Sequence, residues 1–165
     1  MGHKKTITST VLLLSLVSLF TDMSSEMLYP VLPLYLEHIG FSVIAIGLLE
    51  GVAEAIAGLS KGYFGTWSDN LGKRLPFVRF GYLLSAVSKP MMALFPSVAA
   101  VFSARSADRI GEGIRTGARD AMLAAEATPQ TIGAVFGFHR AMDTLGAVFG
   151  PAIAMVFLMF FPGNY

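Results

Sequence analysis

The residues richest in chemistry in this sequence are ionisable side chains set singly into apolar runs. Asp22 and Glu26 lie four apart in one such run, and that spacing on a helix means one shared face. Tyr29 follows close to that face. Arg109 and Glu112 stand inside a second run, and His139 and Asp143, again four apart, inside a third. Glu50 and Glu54 form a further pair at this spacing, with Lys89 as the expected partner in a structural network. Hydrocarbon disfavours the ionised form of a carboxyl group, so an acid placed there can take up and release a proton. A charge retained in such surroundings faces a polar cavity or a partner of opposite sign. Three uses fit these residue types: proton binding, holding a cationic solute, and static ion pairing that only fastens helices together. Asp22, Glu26, His139 and Asp143 also offer oxygen and nitrogen donors for a divalent cation, a reading kept second to one without a metal. Enzymatic chemistry is not expected. There is no nucleophile–base motif, phosphate loop or His-Glu-x-x-His, and the chain has no cysteine. No cofactor is expected either.

The elements that must position these groups are long and apolar. Of 165 residues, 54% are hydrophobic and 14% charged, against about 25% charged in a soluble domain. Five apolar segments stand out, at about 10–36, 43–67, 77–95, 97–125 and 131–161. Each supplies the ~20 helical residues that cross ~30 Å of hydrocarbon. Polar links separate them: 37–42, the stretch from Ser68 to Pro76, Pro96-Ser97, and 127–131, where Thr128 or Thr131 is a candidate helix cap. A soluble bundle would need a wide polar face, which 10–21 and 144–161 lack. The first segment resembles a secretory leader, but no small-residue cleavage site ends it, so it reads as a retained helix. The opening Met-Gly-His-Lys-Lys-Thr also fits a loose myristoylation pattern, set aside because the chain already spans the membrane. A net charge of +1 gives no basic footprint for nucleic acid. Lys4 and Lys5, then Lys73, Arg74 and Arg79, then Arg115 and Arg119, put alternate links on the basic side. By the excess of basic residues inside, the N-terminus is cytoplasmic.

Three short motifs fall on these elements in order. The first is Gly65-Thr66-Trp67-Ser68-Asp69-Asn70-Leu71-Gly72-Lys73-Arg74. Here Gly65 allows close helix packing, Gly72 a tight turn, and Asp69 a place at a helix N-terminus. Lys73 and Arg74 can pair with an acid or with lipid phosphate. The second is Arg109-x-x-Glu112-Gly113. The third is Gly146-Ala147-Val148-Phe149-Gly150-Pro151, whose glycines make a flat strip and whose proline removes a backbone donor. Together they resemble the signatures of the major facilitator superfamily, the third being that of its drug/proton-antiporter branch. Glu112 stands where that family more often has Gln.

The resemblance implies an all-α membrane protein: five transmembrane helices of an N-terminal six-helix bundle, with the C-terminal half absent. It implies a secondary transporter of small molecules, working by proton-coupled efflux and alternating access. In that reading Asp22 and Glu26 face Arg109 across a cavity, with Glu112, His139 and Asp143 as further coupling groups. Gly65, Asp69, Gly72, Lys73 and Arg74 form the inner gate, with Asp120 pairing to Lys73 or Arg74. The implied partners are a small-molecule substrate, protons, the lipid bilayer and the missing half, supplied by a longer chain or by a second protein. The ending Pro162-Gly163-Asn164-Tyr165 favours a longer chain. The expected location is a bacterial inner membrane. The alternatives are a divalent metal-cation exporter, a sugar or anion uniporter or importer of the same fold, and a non-transporting membrane assembly protein.

Overall fold

The computed structural model describes residues 6–95 and 97–161. The Lys4-Lys5 flank, Pro96 and the Pro162–Tyr165 ending lie outside the described residues. The protein is all-helical there: α1 (Ser9–Glu26), α2 (Leu28–His38), α3 (Val43–Leu71), α4 (Leu75–Leu94), α5 (Val98–Glu126) and α6 (Ile132–Phe160). α1 and α2 are two parts of one span, Ser9–His38, so the described residues form five long helices where five were expected. Among the described residues, Ser9–His38, Val43–Leu71 and Ile132–Phe160 are long and apolar enough to cross a membrane. Charged residues interrupt α4 and α5.

Local sequence sets the helix ends. Thr8 caps α1 by accepting from the Val11 N–H (3.3 Å), and Ser42 caps α3 from Ala45 (3.2 Å). The break at Met27 has a cause three residues on. Pro30 has no N–H to give the Glu26 carbonyl, and its ring crowds that group. α3 ends at Gly72, whose φ of 62° suits a residue without a side chain. That helix runs past the expected boundary near 67, so Ser68 and Asp69 belong to its last turn. Asp69 is therefore not at a helix N-terminus, as the sequence implied, but at a C-terminus. There the helix dipole disfavours an anion, and a nearby cation must offset it. Thr131 precedes α6 but makes no side-chain cap to it. Its hydroxyl accepts instead from the Thr128 N–H (2.9 Å), closing the turn before the helix.

The chain forms two compact units, one comprising residues up to Leu34 and from Met122 onward, the other Tyr35–Ala121. In the first, α1 packs against α6. Val135, His139, Gly146, Gly150 and Ala154 are the buried residues of α6, and Val11, Leu14, Ser15 and Ser18 those of α1. Lipid tails are as apolar as leucine, so burial of hydrocarbon does not drive this contact. Close van der Waals fit and polar links do. In the second unit α3 and α4 both approach α5 through glycines. Large apolar side chains such as Leu13 and Met159 stay outward, 62% and 80% exposed, as lipid-facing surface requires.

Candidate functional site

In the first unit the acids and the glycine strip share one seam. A methyl group added at Gly146 would lie 2.6 Å from the Leu19 carbonyl oxygen and 3.3 Å from the Asp22 Cβ. At Gly150 it would strike the Met23 carbonyl oxygen and lie 3.1 Å from the Glu26 Cβ. Only glycine permits this approach, and the α1 backbone it reaches is the stretch that carries Asp22 and Glu26. Both acids are half-buried. Tyr29 lies beyond the break, on α2, and is 66% exposed.

About two turns along the same seam, His139 is fully buried. Its Nδ1 shares a hydrogen bond with Ser15 Oγ (3.1 Å), linking α6 to α1. Its Nε2 lies 3.5 Å from Asp143 Oδ2, and Arg140 Nη1 is also 3.5 Å from that oxygen. The i, i+4 pair on α6 is thus brought together. Ser15 is a partner that sequence reasoning missed, because nothing in one helix says which residue of another will face it. Asp22, Glu26, His139 and Asp143 do not converge as metal ligands. Among the described residues no group of three or more His, Asp or Glu side chains is arranged to hold a metal ion.

The second unit holds an ion network. Glu50 on α3 accepts both a 2.9 Å bond from Arg105 Nε and a 2.7 Å bond from Arg105 Nη2, a forked pairing. One turn along, Glu54 lies 2.9 Å from Arg109 Nη2, and Arg109 Nη1 donates to Glu112 at 2.7 Å. Two acids four apart on α3 thus face two arginines four apart on α5. Lys89 does not join Glu50 or Glu54, as expected from charge alone. It lies 3.3 Å from Asp108, which also meets Arg105 at 3.6 Å. Arg115, buried, donates to Ser85 Oγ (2.7 Å) and sits 4.9 Å over the Tyr82 ring. The matched spacing of Glu50–Glu54 and Arg105–Arg109 was the signal available in the sequence. The expected opposition of Arg109 to Asp22 and Glu26 concerns residues of different units. Within its own unit Arg109 is neutralised by Glu54 and Glu112.

Glycines set the spacing of this network too. A Cβ at Gly81 would sit 2.5 Å from the Gly111 carbonyl oxygen, which fixes α4 on α5. A Cβ at Gly117 would sit 2.9 Å from the Gly65 Cα, and one at Gly113 would strike Ser60, which fixes α3 on α5. Gly65, the first residue of the first motif, therefore packs where the sequence placed it for packing. At the end of the α3–α4 hairpin Arg74 lies 3.4 Å from Asp69 and donates to the Ala121 carbonyl at 3.2 Å. That cation answers the dipole penalty on Asp69. Asp120 does not pair with Lys73 or Arg74; it takes Arg119 of its own helix at 3.2 Å.

Long apolar helices with ionised groups held inside them define a polytopic membrane protein with a charged interior. The Major Facilitator Superfamily pattern matches residues 14–163. The chain belongs to the major facilitator superfamily. It is 37% identical over 158 residues to an uncharacterized MFS-type transporter of Methanocaldococcus jannaschii, a match covering 96% of this chain and 39% of that protein. It is also 26% identical over 141 residues to uncharacterized proteins of Mycobacterium bovis and Mycobacterium tuberculosis, covering 86% of this chain and 34% of each relative. The chain thus spans well under half the length of the curated relatives it matches.

Proposed function

We propose that this chain is the N-terminal part of a secondary transporter that exports small molecules in exchange for protons by alternating access. The observation that carries the reading is the α1–α6 seam, where glycines hold the backbone that bears two half-buried acids, Asp22 and Glu26, in a membrane span. A carboxylate in such a place is costly, and acids inside membrane spans commonly mark substrate or proton pathways. In this reading each acid alternates between a proton and a cationic substrate. If the proton affinity of one acid differs tenfold between inward and outward states, protonation shifts their ratio tenfold, about 1.4 kcal/mol. His139 and Asp143 extend the titratable set along the seam. Arg109, paired with Glu112 on the fourth span, takes part in the coupling in this reading. Asp69, Gly72, Lys73, Arg74 and Asp120, with Gly65, act as the inner gate, and the remaining half of the transporter completes the substrate path. The N-terminus faces the cytoplasm of a bacterial inner membrane.

The test is transport in proteoliposomes by the full-length protein, with and without a proton gradient, across a panel of organic cations, sugars, anions and divalent metals. Gradient-driven movement of an organic cation, lost in Asp22→Asn, is the expected result. Gradient-independent movement of a sugar or anion, or transport unaltered in Asp22→Asn and Glu26→Gln, overturns the coupling mechanism. Movement of a divalent metal in place of the organic cations overturns the substrate class.

A further inference from the structure

The end of the α3–α4 hairpin carries a feature that transport does not explain. A cavity of about 330 Å³ opens there, lined by Phe64, Trp67, Pro76, Phe77, Phe80 and Ile114. Its wall is built, not incidental. The Trp67 and Phe77 rings meet edge-on at 5.5 Å, and Phe64 and Trp67 lie 5.9 Å apart. Trp67 and Phe80 nonetheless remain 47% and 56% exposed, so the apolar wall is open on one side. Trp67 stands one turn before the end of α3, and Pro76 and Phe77 stand in the first turn of α4. The cavity therefore lies at the same end as the link between these helices.

That end is basic. Between residues 67 and 80 the sequence has the cations Lys73, Arg74 and Arg79 against the single acid Asp69. Arg74 is occupied by Asp69 and the Ala121 carbonyl. Lys73, in the link, and Arg79, beside Phe80 in the second turn of α4, are exposed and take no carboxylate among the described residues. An aromatic apolar cavity at the end of a membrane helix hairpin whose link and second turn carry the exposed cations Lys73 and Arg79 suits one kind of molecule. It must have a hydrocarbon chain to fill the cavity and an anionic head to meet the cations. Tryptophan at a helix end is suited to that boundary between tails and headgroups.

We propose that this hairpin end is a binding site for an anionic phospholipid. An acyl chain lies among Phe64, Trp67, Phe77 and Phe80, and the phosphate is held by Lys73 and Arg79. The proposal is independent of any substrate or coupling ion.

The experiment uses the full-length protein in mild detergent. Native mass spectrometry and thermal unfolding are followed as phosphatidylglycerol or phosphatidylcholine is added. Phosphatidylglycerol should bind more tightly and raise the unfolding midpoint more. Two basic contacts correspond to roughly a 30-fold change in affinity, so Lys73→Gln with Arg79→Gln should lose about that factor for phosphatidylglycerol and little for phosphatidylcholine. Phe80→Ala, at an exposed position that tolerates the change, should weaken both lipids. Equal binding of the two lipids, or phosphatidylglycerol binding unaltered in the double variant, overturns the proposal. So does equal protection by inorganic phosphate alone, or dimerisation through this face in place of lipid binding.

Discussion

Replacing Gly146 or Gly150 by alanine puts one methyl group where the backbone of α1 already runs. At Gly146 that carbon would sit 2.6 Å from the Leu19 carbonyl oxygen and 3.0 Å from the Met23 nitrogen. A carbon–oxygen contact is comfortable only from about 3.3 Å, so the two helices must part by roughly 0.7 Å. The obstructing atoms are main chain, so no side chain can swing away instead. A gap of that size forfeits about a quarter to a half of the dispersion energy along a contact. Overpacking of this kind costs about 1–3 kcal/mol. Alanine recovers about 1 kcal/mol through its higher helix propensity. The same helix provides its own control. Gly133 and Gly137 also lie in α6, and an added Cβ there meets nothing within 4 Å. Alanine at those positions keeps the propensity gain without the clash. The two pairs of variants should therefore differ by about 1–3 kcal/mol, or roughly 5- to 150-fold in unfolding equilibrium. The assay is reversible unfolding by denaturing detergent, followed by helical circular dichroism. If Gly146→Ala and Gly150→Ala match Gly137→Ala in stability, the seam does not pack as described and the placement of Asp22 and Glu26 loses its support.

Two further outcomes follow from the polar contacts. Glu50→Gln removes the forked partner of Arg105, whose side chain is only 3% exposed. It should destabilise the protein by about 3 kcal/mol in the same assay, and Arg105→Lys should not preserve stability, because an ammonium cannot reproduce the fork. Ser15→Ala, combined with His139→Ala in a double-mutant cycle, should give a coupling of about 0.6 kcal/mol, the usual size of a hydrogen bond between membrane helices. A coupling indistinguishable from zero would mean that the 3.1 Å contact carries no energy.

The helical, membrane-spanning architecture was legible because apolar length alone dictates it: no other open structure satisfies its backbone in hydrocarbon. The glycine strip was legible as a packing surface for the same elementary reason, since Gly at i and i+4 leaves a flat face whatever lies opposite. Its target was not. That Gly146 and Gly150 meet the stretch bearing Asp22 and Glu26 depends on the rotation of two helices about their axes, which no single helix encodes. Lys89 shows the same limit for charges. Opposite sign and a neighbouring span made Glu50 or Glu54 reasonable partners, yet the helix faces bring Lys89 to Asp108. Asp69 shows it for boundaries. A polar stretch reads as a link, but Ser68 satisfies its hydroxyl on the Gly65 carbonyl at 2.9 Å, and the helix continues to Gly72.

One regularity connects these cases. Where the sequence repeats a spacing on two helices, the structure can use it as a ladder: Glu50 and Glu54 against Arg105 and Arg109 is the instance here. The two arginines are largely buried, 3% and 14% exposed, and each would be an expensive charge alone; Glu50 and Glu54 neutralise them over successive turns. Gly113 and Gly117 bring α3 close enough to α5 for those rungs to be made at 2.7–2.9 Å. The glycines and the charges are therefore one device, since helices held apart by bulkier residues would leave the same ions unpaired in hydrocarbon. A sliding motion of α3 along α5 would have to break both forked and single pairs at once. For that reason α3 and α5 should move as one body in any transport cycle, and the mobile contacts should be sought elsewhere in the protein. A spin label on each of these two helices, with distances unchanged between inward and outward conditions in the full-length protein, is the expected result; a change of a full helical turn would refute the rigid ladder.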